Sequence, residues 1–296
     1  MTIRSFGILF ILSLLPGCNS AGLLVVNLLA GFDNYHVYEN LSYGPEKQNV
    51  MDIYVPETEK MSGQHGKPPV VIFFYGGCWG GCKTLTKEQF VFVAQALTAR
   101  GYLVVIPDYR RYPEVKFPRI MDDATQTVEW VKKNIGQYGG DSDRLFLMGH
   151  SAGAQLAAIL TLNERYLLPD TWSSLRGFIG LAGPYDFLPF TDEYQRVVFG
   201  PEENYPASQP VNFVGGNEPP LLLLYGNDDD TVRAFNIESL TKKVKQAGGC
   251  VETHYYDGLD HAGLIGALAL PLQNSSSVLS DIAGFLDRHA NDQRSC

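Results

Sequence analysis

Cysteine is scarce in this chain, basic residues are fewer than acidic ones, and phosphate-binding glycine loops are absent. Five cysteines among 296 residues are too few for a fold held together by disulfides, and their single C-x3-C pair lacks the second pair of a zinc site. With 23 lysine and arginine residues against 32 acidic residues, the net charge is −9, which argues against nucleic acid as a partner. Neither G-x-G-x-x-G nor a Walker loop occurs, so no nucleotide cofactor is expected.

The composition suits a globular protein. Hydrophobic residues make up 45% of the chain and charged residues 19%, enough to bury a large core, and no repeat or low-complexity tract occurs. A chain of this length can form one large α/β domain or two smaller ones. No change of composition marks a second domain, so residues 33–296 are expected to form a single domain.

The first 17 residues have the features of a secretory signal. Arg4 precedes the apolar run Phe6–Leu15, whose length and flanks are typical of such signals. The run ends in Leu15-Pro16-Gly17-Cys18, which is similar to the lipobox at which bacterial signal peptidases leave a lipidated cysteine. Pro16 stands where a small residue is usual. Residues 1–17 are therefore interpreted as a signal peptide of the lipoprotein type.

The alternative is a membrane anchor that continues through Leu23–Phe32. Cys18-Asn19-Ser20 interrupts the apolar run, and a spanning helix needs about 20 apolar residues. Residues 18–32 are therefore expected to link a lipid anchor at Cys18 to the folded domain. This interpretation places the protein in a bacterial cell envelope, anchored to a membrane and facing the periplasm or the exterior.

Hydrophobic periodicity predicts alternating strands and helices. The chain opens with two alternating strands, Val37–Ser42 and Val50–Val55, which a short turn would join as an antiparallel pair. Strands separated by helices follow, which imply parallel crossovers and a doubly wound, mostly parallel sheet of the α/β class. The predicted strands are Val70–Phe74, Leu103–Ile106, Leu145–Met148, Phe178–Leu181, Leu221–Leu224 and Val251–Tyr256; the predicted helices are Leu85–Arg100, Ile120–Asn134, Ala234–Gln246 and Val278–His289.

A serine stands in a sharp turn between a strand and a helix. The apolar strand Leu145–Met148 runs into Gly149–Gly153, a G-x-S-x-G sequence, and an Ala/Leu-rich helical pattern follows. Such a turn strains the backbone of the serine and exposes its hydroxyl above the sheet edge. The helix N-terminus behind it favours a developing negative charge. Ser151 is therefore predicted to be a catalytic nucleophile.

A serine nucleophile needs an imidazole to take its proton and a carboxylate to orient that imidazole. Ligands of such sheets bind beyond the carboxyl ends of the strands, where two further loops carry the required residues. His261 follows the last predicted strand, and Asp228-Asp229-Asp230 follow the strand before it. Their order, Ser…Asp…His, is the order of the α/β hydrolases. Structural roles are expected for Asp260, which would shape the turn, and for the remaining histidines, His36, His65, His150, His254 and His289.

Acyl transfer also needs hydrogen-bond donors for an oxyanion. One is expected to be the backbone N–H of Ala152, the residue after the nucleophile. The others are expected in the loop Gly76-Gly77-Cys78, which follows the strand Val70–Phe74. Glycines there would let the backbone approach a substrate carbonyl.

These motifs resemble the esterase branch of the α/β-hydrolase family, which also holds hormone-sensitive-lipase-like carboxylesterases, kynurenine formamidases and prenylcysteine methylesterases. The resemblance covers most of residues 40–290 and is specific for the fold and for serine catalysis. It implies an α/β-hydrolase fold and a serine carboxylesterase that works through an acyl-enzyme without a metal or cofactor. The residues that carry it are Tyr75-Gly76-Gly77-x-Trp79, Pro107-Asp108-Tyr109-Arg110, Gly139-Gly140-Asp141-Ser142-Asp143-Arg144, Gly149–Gly153 and His261.

The resemblance also selects among the three aspartates. Asp229 lies three residues after Gly226 and three before Val232, the spacing that this turn usually has in related hydrolases. Asp228 and Asp230 are then expected to be turn or helix-cap residues. One departure is Tyr75, which stands where the family commonly has histidine. It is expected to support the oxyanion loop through its side chain.

Other functions stay open at this point. The same residues could serve a formamidase or another amidase, a deacetylase or a feruloyl esterase, or the fold could be an inactive binding protein. Thiol redox chemistry at Cys78 and Cys82 is disfavoured, because C-x3-C is not the C-x-x-C of thioredoxin-like proteins. Ester substrates with short or medium acyl chains are expected, because the insertion between Ala182 and Pro219 is small and polar residues interrupt its apolar runs.

One disulfide is predicted, between Cys250 and Cys296. Cys250 opens the last strand, and the final helix runs antiparallel to that strand, which would bring Cys296 back towards Cys250. Cys78 and Cys82 are close enough in the oxyanion loop to form a second bridge that would stiffen it.

Overall fold

The computed structural model describes residues 26–31, 35–57, 66–82 and 84–290. Within them, an eight-stranded sheet has the order β1-β2-β4-β3-β5-β6-β7-β8. β2 is antiparallel to β1 and to β4, and all other neighbours are parallel. The antiparallel opening pair and the doubly wound, mostly parallel sheet are thus confirmed. The strands are β1 Tyr35–Ser42, β2 Val50–Pro56, β3 Val70–Phe74, β4 Leu103–Pro107, β5 Leu145–His150, β6 Leu175–Leu181, β7 Leu221–Gly226 and β8 Val251–Tyr256.

Helices in the crossovers cover the sheet. Right-handed crossovers that move in opposite directions along a sheet place their helices on opposite faces. The β3–β4 crossover moves one way, and the crossovers from β4 to β8 move the other way. The helices are α1 26–30, α2 Val91–Thr98, α3 Arg119–Asn134, α4 Ala152–Leu162, α5 Pro169–Ser173, α6 Glu193–Phe199, α7 Phe235–Gln246, α8 His261–Gly266 and α9 Val278–His289.

The core follows from the apolar strands. Every residue of β3, β4, β5 and β7 is buried, as expected for strands covered on both faces. Burying such runs is the main favourable contribution to folding, at roughly 25 cal/mol per Å² of apolar surface. The central strands therefore form a rigid base whose carboxyl edge carries the loops described below.

One predicted helix is wrong in its first half. Residues 85–100 were expected to form one helix, but Lys87–Phe90 form a 3-10 turn and α2 begins only at Val91. The Lys87 side chain is buried and pairs with Asp52 of β2 at 3.0 Å. A charged side chain is buried only when it has such a partner. Because Lys87 and Asp52 are far apart in the sequence, hydrophobic periodicity does not predict this pair.

Candidate active site

The serine at the elbow has the strained backbone that its motif predicts. Ser151 links β5 to α4 with φ 55° and ψ −127°, and its N–H donates to the Leu181 carbonyl at 2.9 Å. A Cβ on Gly153 would lie 2.0 Å from the Phe74 carbonyl oxygen, so only glycine allows α4 to pack so closely on β3. The elbow geometry thus depends on the crowded contact between these two elements.

The Asp229 carboxylate holds the His261 ring. Asp229 Oδ2 lies 2.8 Å from His261 Nδ1, and its Oδ1 accepts the backbone N–H groups of Thr231 and Val232 at 2.8 and 2.9 Å. Burial raises the pKa of Asp229, but the hydrogen bond from His261 and those from the two amides outweigh it, so the pKa is lower than usual. The carboxylate is therefore ionised and fixes the imidazole with a proton on Nδ1.

The neighbouring aspartates point elsewhere. Asp228 and Asp230 are exposed. The backbone N–H of Asp228 donates to the Leu259 carbonyl at 3.1 Å. This bond connects the aspartate turn, residues 227–232 after β7, to the histidine loop, residues 257–261 after β8. Asp230 Oδ1 accepts a long bond from the Thr231 hydroxyl at 3.3 Å. Of the three aspartates, the structure brings Asp229 to His261.

His261 is the first residue of α8, a short helix that was expected to be loop. Asp260 is its N-cap: Asp260 Oδ1 accepts the N–H of Gly263 at 2.6 Å, as its predicted turn-shaping role requires. The helix therefore starts at a fixed point, with the His261 ring directed to Asp229.

The other histidines occupy different places. His254 lies on β8 within 3.7 Å of Asp281, and the ring of His36 packs on Tyr38 of β1. His289 is buried in α9, and His65 lies outside the described residues. His150 differs from these, because its ring lies 4.8 Å from that of His261 and its Nε2 is 2.9 Å from the His261 carbonyl oxygen. Sequence reasoning missed this contact, although a residue beside the nucleophile must lie at the same sheet edge.

The glycine loop after β3 lies against the serine. A Cβ built on Gly76 would be 2.8 Å from Ser151 Cβ and 3.4 Å from Ser151 Oγ. The backbone N–H groups of Gly77, Cys78 and Ala152 donate no hydrogen bond within the described part of the chain, as donors reserved for an external oxyanion would. The loop thus lies against Ser151 at Gly76, and the assignment of Gly77, Cys78 and Ala152 as oxyanion donors stays a prediction.

A left-handed turn and a disulfide fix this loop. Gly77, Cys78, Trp79 and Gly80 have φ values of 116°, 51°, 54° and 101°, a conformation that costs non-glycine residues energy. A disulfide between Cys78 and Cys82, which their spacing in the sequence allows, is present and closes the turn. The N–H of Tyr112 also donates to the Trp79 carbonyl at 2.9 Å. Covalent and hydrogen-bonded constraints together hold a strained turn beside the serine.

The structure describes one of the two cysteines in the predicted Cys250–Cys296 disulfide. Cys250 is disulfide-bonded, whereas its predicted partner Cys296 lies outside the described residues. The pairing of these two cysteines stays a prediction.

Tyr75, which directly precedes the loop Gly76-Gly77-Cys78, is held by contacts with the segments around it. Its hydroxyl donates to Asp108 Oδ1 at 2.6 Å, and the N–H of Lys87 donates to the same oxygen at 2.9 Å. Its ring stacks on Phe90 with a centroid separation of 5.1 Å, and its carbonyl accepts the Tyr109 hydroxyl at 2.6 Å. The tyrosine is thus anchored at both ends and supports the loop through its side chain, as its place in the sequence predicts.

The insertion after β6 packs onto the same loop. The Phe187 ring stacks on Trp79 at 5.6 Å, and Phe199 meets the indole edge-on at 4.8 Å. Trp79 Nε1 donates to Gln155 Oε1 at 2.9 Å, and Gln155 Nε2 donates to the Ser208 carbonyl at 2.7 Å. Through the buried Gln155, the loop, the elbow helix and the insertion form one connected unit.

The sheet order, the serine elbow after β5, and the aspartate and histidine after β7 and β8 define an α/β hydrolase with an esterase-type site. The chain belongs to the BD-FAE family of α/β-hydrolase-fold esterases, whose family model matches residues 51–244. This confirms the resemblance drawn from the sequence motifs.

Individual proteins show the same relationship. Isoprenylcysteine alpha-carbonyl methylesterase ICME of Arabidopsis thaliana is 28% identical over 285 residues, which cover 88% of this chain and 64% of that protein. Esterase LipC of Mycobacterium tuberculosis is 27% identical over 224 residues, covering 69% of this chain and 54% of LipC. The chain spans between 52% and 70% of the length of five methylesterases from Oryza sativa and Arabidopsis thaliana that it matches.

A solved structure confirms the fold. A truncated carbohydrate esterase from gut microbiota superposes with a TM-score of 0.74 at 19% identity, covering 88% of this chain and 99% of that one. At 19% identity, this similarity shows only that the two proteins share the α/β-hydrolase fold.

Proposed function

We propose that this chain is a serine carboxylesterase with Ser151 as nucleophile, His261 as base and Asp229 as the residue that orients the base. The hydrogen bond between Asp229 and His261, on loops that meet the elbow of Ser151, is the observation that carries this proposal. The names of the relatives, which include a methylesterase and an esterase, support ester chemistry.

The proposed reaction has two halves. Ser151 Oγ attacks the ester carbonyl while its proton passes to His261 Nε2, and the N–H groups of Gly77, Cys78 and Ala152 hold the oxyanion. His261 then gives the proton to the alkoxide, which leaves as the alcohol. Water, deprotonated by His261, attacks the acyl-enzyme, and the acid leaves as Ser151 regains its proton.

Gly76→Ala is expected to lower kcat for ester hydrolysis about 100-fold, because the new methyl group collides with Ser151 Cβ and displaces the nucleophile. The measurement is kcat on p-nitrophenyl acetate, together with the melting temperature. Gly136→Ala is the control, since its Cβ would meet only Lys67 Nζ at 3.9 Å. Wild-type kcat in Gly76→Ala would show that the loop does not approach the reacting serine.

We propose further that the substrates are esters with short or medium acyl chains. No helix of the insertion is longer than seven residues, the length of both α6 and the 3-10 helix Glu202–Ser208, which is too short to form a wide opening lid. Trp79, Phe187 and Phe199 are already packed on one another, and Gln155 ties the indole in place. Each further methylene gains about 0.8 kcal/mol only where apolar walls receive it, and this packed wall leaves little room for them.

We expect kcat/KM on p-nitrophenyl esters to peak between acetyl and about hexanoyl, because the gain per methylene ends at this aromatic wall. Phe187→Ala is expected to move the peak to longer chains, since it removes the ring stacked on Trp79. Formamide and feruloyl substrates belong in the same panel, because amidases and feruloyl esterases use the same residues. A steady rise of kcat/KM through palmitoyl, or a preference for formamides, would contradict the proposed specificity.

The proposed location is a membrane of a bacterial cell envelope, with a lipid anchor at Cys18. The sequence Leu15-Pro16-Gly17-Cys18 supports this proposal, and Cys18 lies outside the described residues. In the part of the chain that the structure describes, no helix is long and apolar enough to cross a bilayer. Expression in a bacterium fed radiolabelled palmitate should label the wild type and leave Cys18→Ala unlabelled. A label that survives in Cys18→Ala would exclude this cysteine as the anchor.

A further inference from the structure

His150 forms the direct contact between the nucleophile strand and the histidine loop. It is the last residue of β5, it is 7% exposed, and its Nε2 lies 2.9 Å from the backbone carbonyl oxygen of His261. Since a carbonyl oxygen can only accept, the hydrogen of this bond belongs to His150 Nε2. The two rings lie 4.8 Å apart and are tilted by 43°.

The sheet topology shows why such a contact is needed. His261 follows β8, and Ser151 follows β5, with β6 and β7 between them. At about 4.8 Å per strand, the ends of β5 and β8 are separated by roughly 14 Å. The histidine loop must therefore reach back over two strands to meet the serine. The cap at Asp260 and the ties to the Asp229 turn hold the far side of this loop, and His150 holds the side that faces the elbow.

The charge state of His150 suits this place. Burial, and next the repulsion from the adjacent His261, lower the pKa of His150 to about 3, although the bond to the His261 carbonyl and the charge of Asp229 act in the opposite direction. The ring is therefore neutral at ordinary pH. It donates one hydrogen bond and adds no positive charge beside an imidazole that becomes positive during the reaction.

We infer that His150 is a positioning residue that holds the backbone of His261 at the distance from Ser151 that proton transfer requires. This inference rests on the proposed function, in which His261 is the base. The hydrogen bond of His150 goes to the backbone carbonyl of His261, whereas Nδ1 of the His261 ring pairs with Asp229. The effect of His150 is therefore expected in the chemical steps rather than in substrate binding.

The test compares His150→Gln with His150→Met, two side chains of similar length and volume. The glutamine amide can donate to the His261 carbonyl, whereas methionine cannot. We expect kcat on p-nitrophenyl acetate to fall about tenfold in His150→Met, with KM within twofold of the wild type, and to stay within threefold in His150→Gln. Labelling by a fluorophosphonate should slow in the same order. His254→Gln, which changes a histidine of β8 that lies beside Asp281 of α9, serves as the control and should behave as wild type.

The outcomes separate the two proposals. Wild-type kcat in His150→Met, or an equal loss in both variants, would overturn the positioning role. Melting temperatures show whether each variant is folded. If His150→Met is unstable, the comparison of kcat with KM in His150→Gln still tests the positioning role of His150. His261→Ala in the same assay tests the proposed function itself. Full activity of His261→Ala would show that His261 is not the catalytic base. An inactive His261→Ala together with an unaffected His150→Met would overturn only the inference on His150.

Discussion

Ser151→Ala is expected to lower kcat for ester hydrolysis about 10⁴- to 10⁶-fold, the largest effect of any single substitution in this chain. The hydroxyl is the proposed attacking group, and no neighbouring side chain in the described site can replace it at the apex of the elbow. The variant should fold, because removing one oxygen leaves the strained backbone and its bond to the Leu181 carbonyl in place.

Active-site labelling gives the sharpest measurement. A fluorophosphonate probe should modify the wild type at one site and fail to modify Ser151→Ala. Ser173→Ala, which changes an exposed serine in α5 far along the chain from the elbow, should be labelled as the wild type is. Labelling that persists in Ser151→Ala would place the nucleophile elsewhere.

Asp229→Asn is expected to lower kcat about 10³- to 10⁴-fold with little change in KM. The carboxylate accepts the proton of His261 Nδ1 and stabilises the ring when it becomes positive, and an amide does neither reliably. Two neighbours provide matched controls, since Asp228→Asn and Asp230→Asn change the same charge at exposed positions. Both controls should keep kcat within twofold of the wild type. A large loss in either control, with Asp229→Asn unaffected, would move the role to that residue.

Local patterns predicted most of the sheet and the elbow. β3, β8 and α9 have the predicted bounds, because polar or glycine-containing segments flank each of them in the sequence. The elbow could be predicted because only a glycine-flanked serine fits a turn so tight between strand and helix.

Contacts between distant segments could not be predicted in this way. The Lys87–Asp52 pair lies where a predicted helix is shorter than expected, and the His150–His261 bond joins residues 111 positions apart. The chain from Trp79 through Gln155 to Ser208 likewise joins three separate loops and helices. Each depends on how far apart two elements lie after folding, and hydrophobic periodicity contains no such distance.

The Cys78–Cys82 disulfide has a consequence for how this protein must be made. It closes a ring of five residues that includes the strained Cys78 and Trp79, at the loop that faces Ser151. In a reducing cytoplasm the ring stays open, and the turn then relies on its hydrogen bonds and on the aromatic packing of Trp79. We expect protein from such a host to have a lower specific activity than protein in which this disulfide has formed. Export to an oxidising compartment, or refolding in a glutathione buffer, allows the Cys78–Cys82 disulfide to form and is therefore the suitable way to prepare the protein.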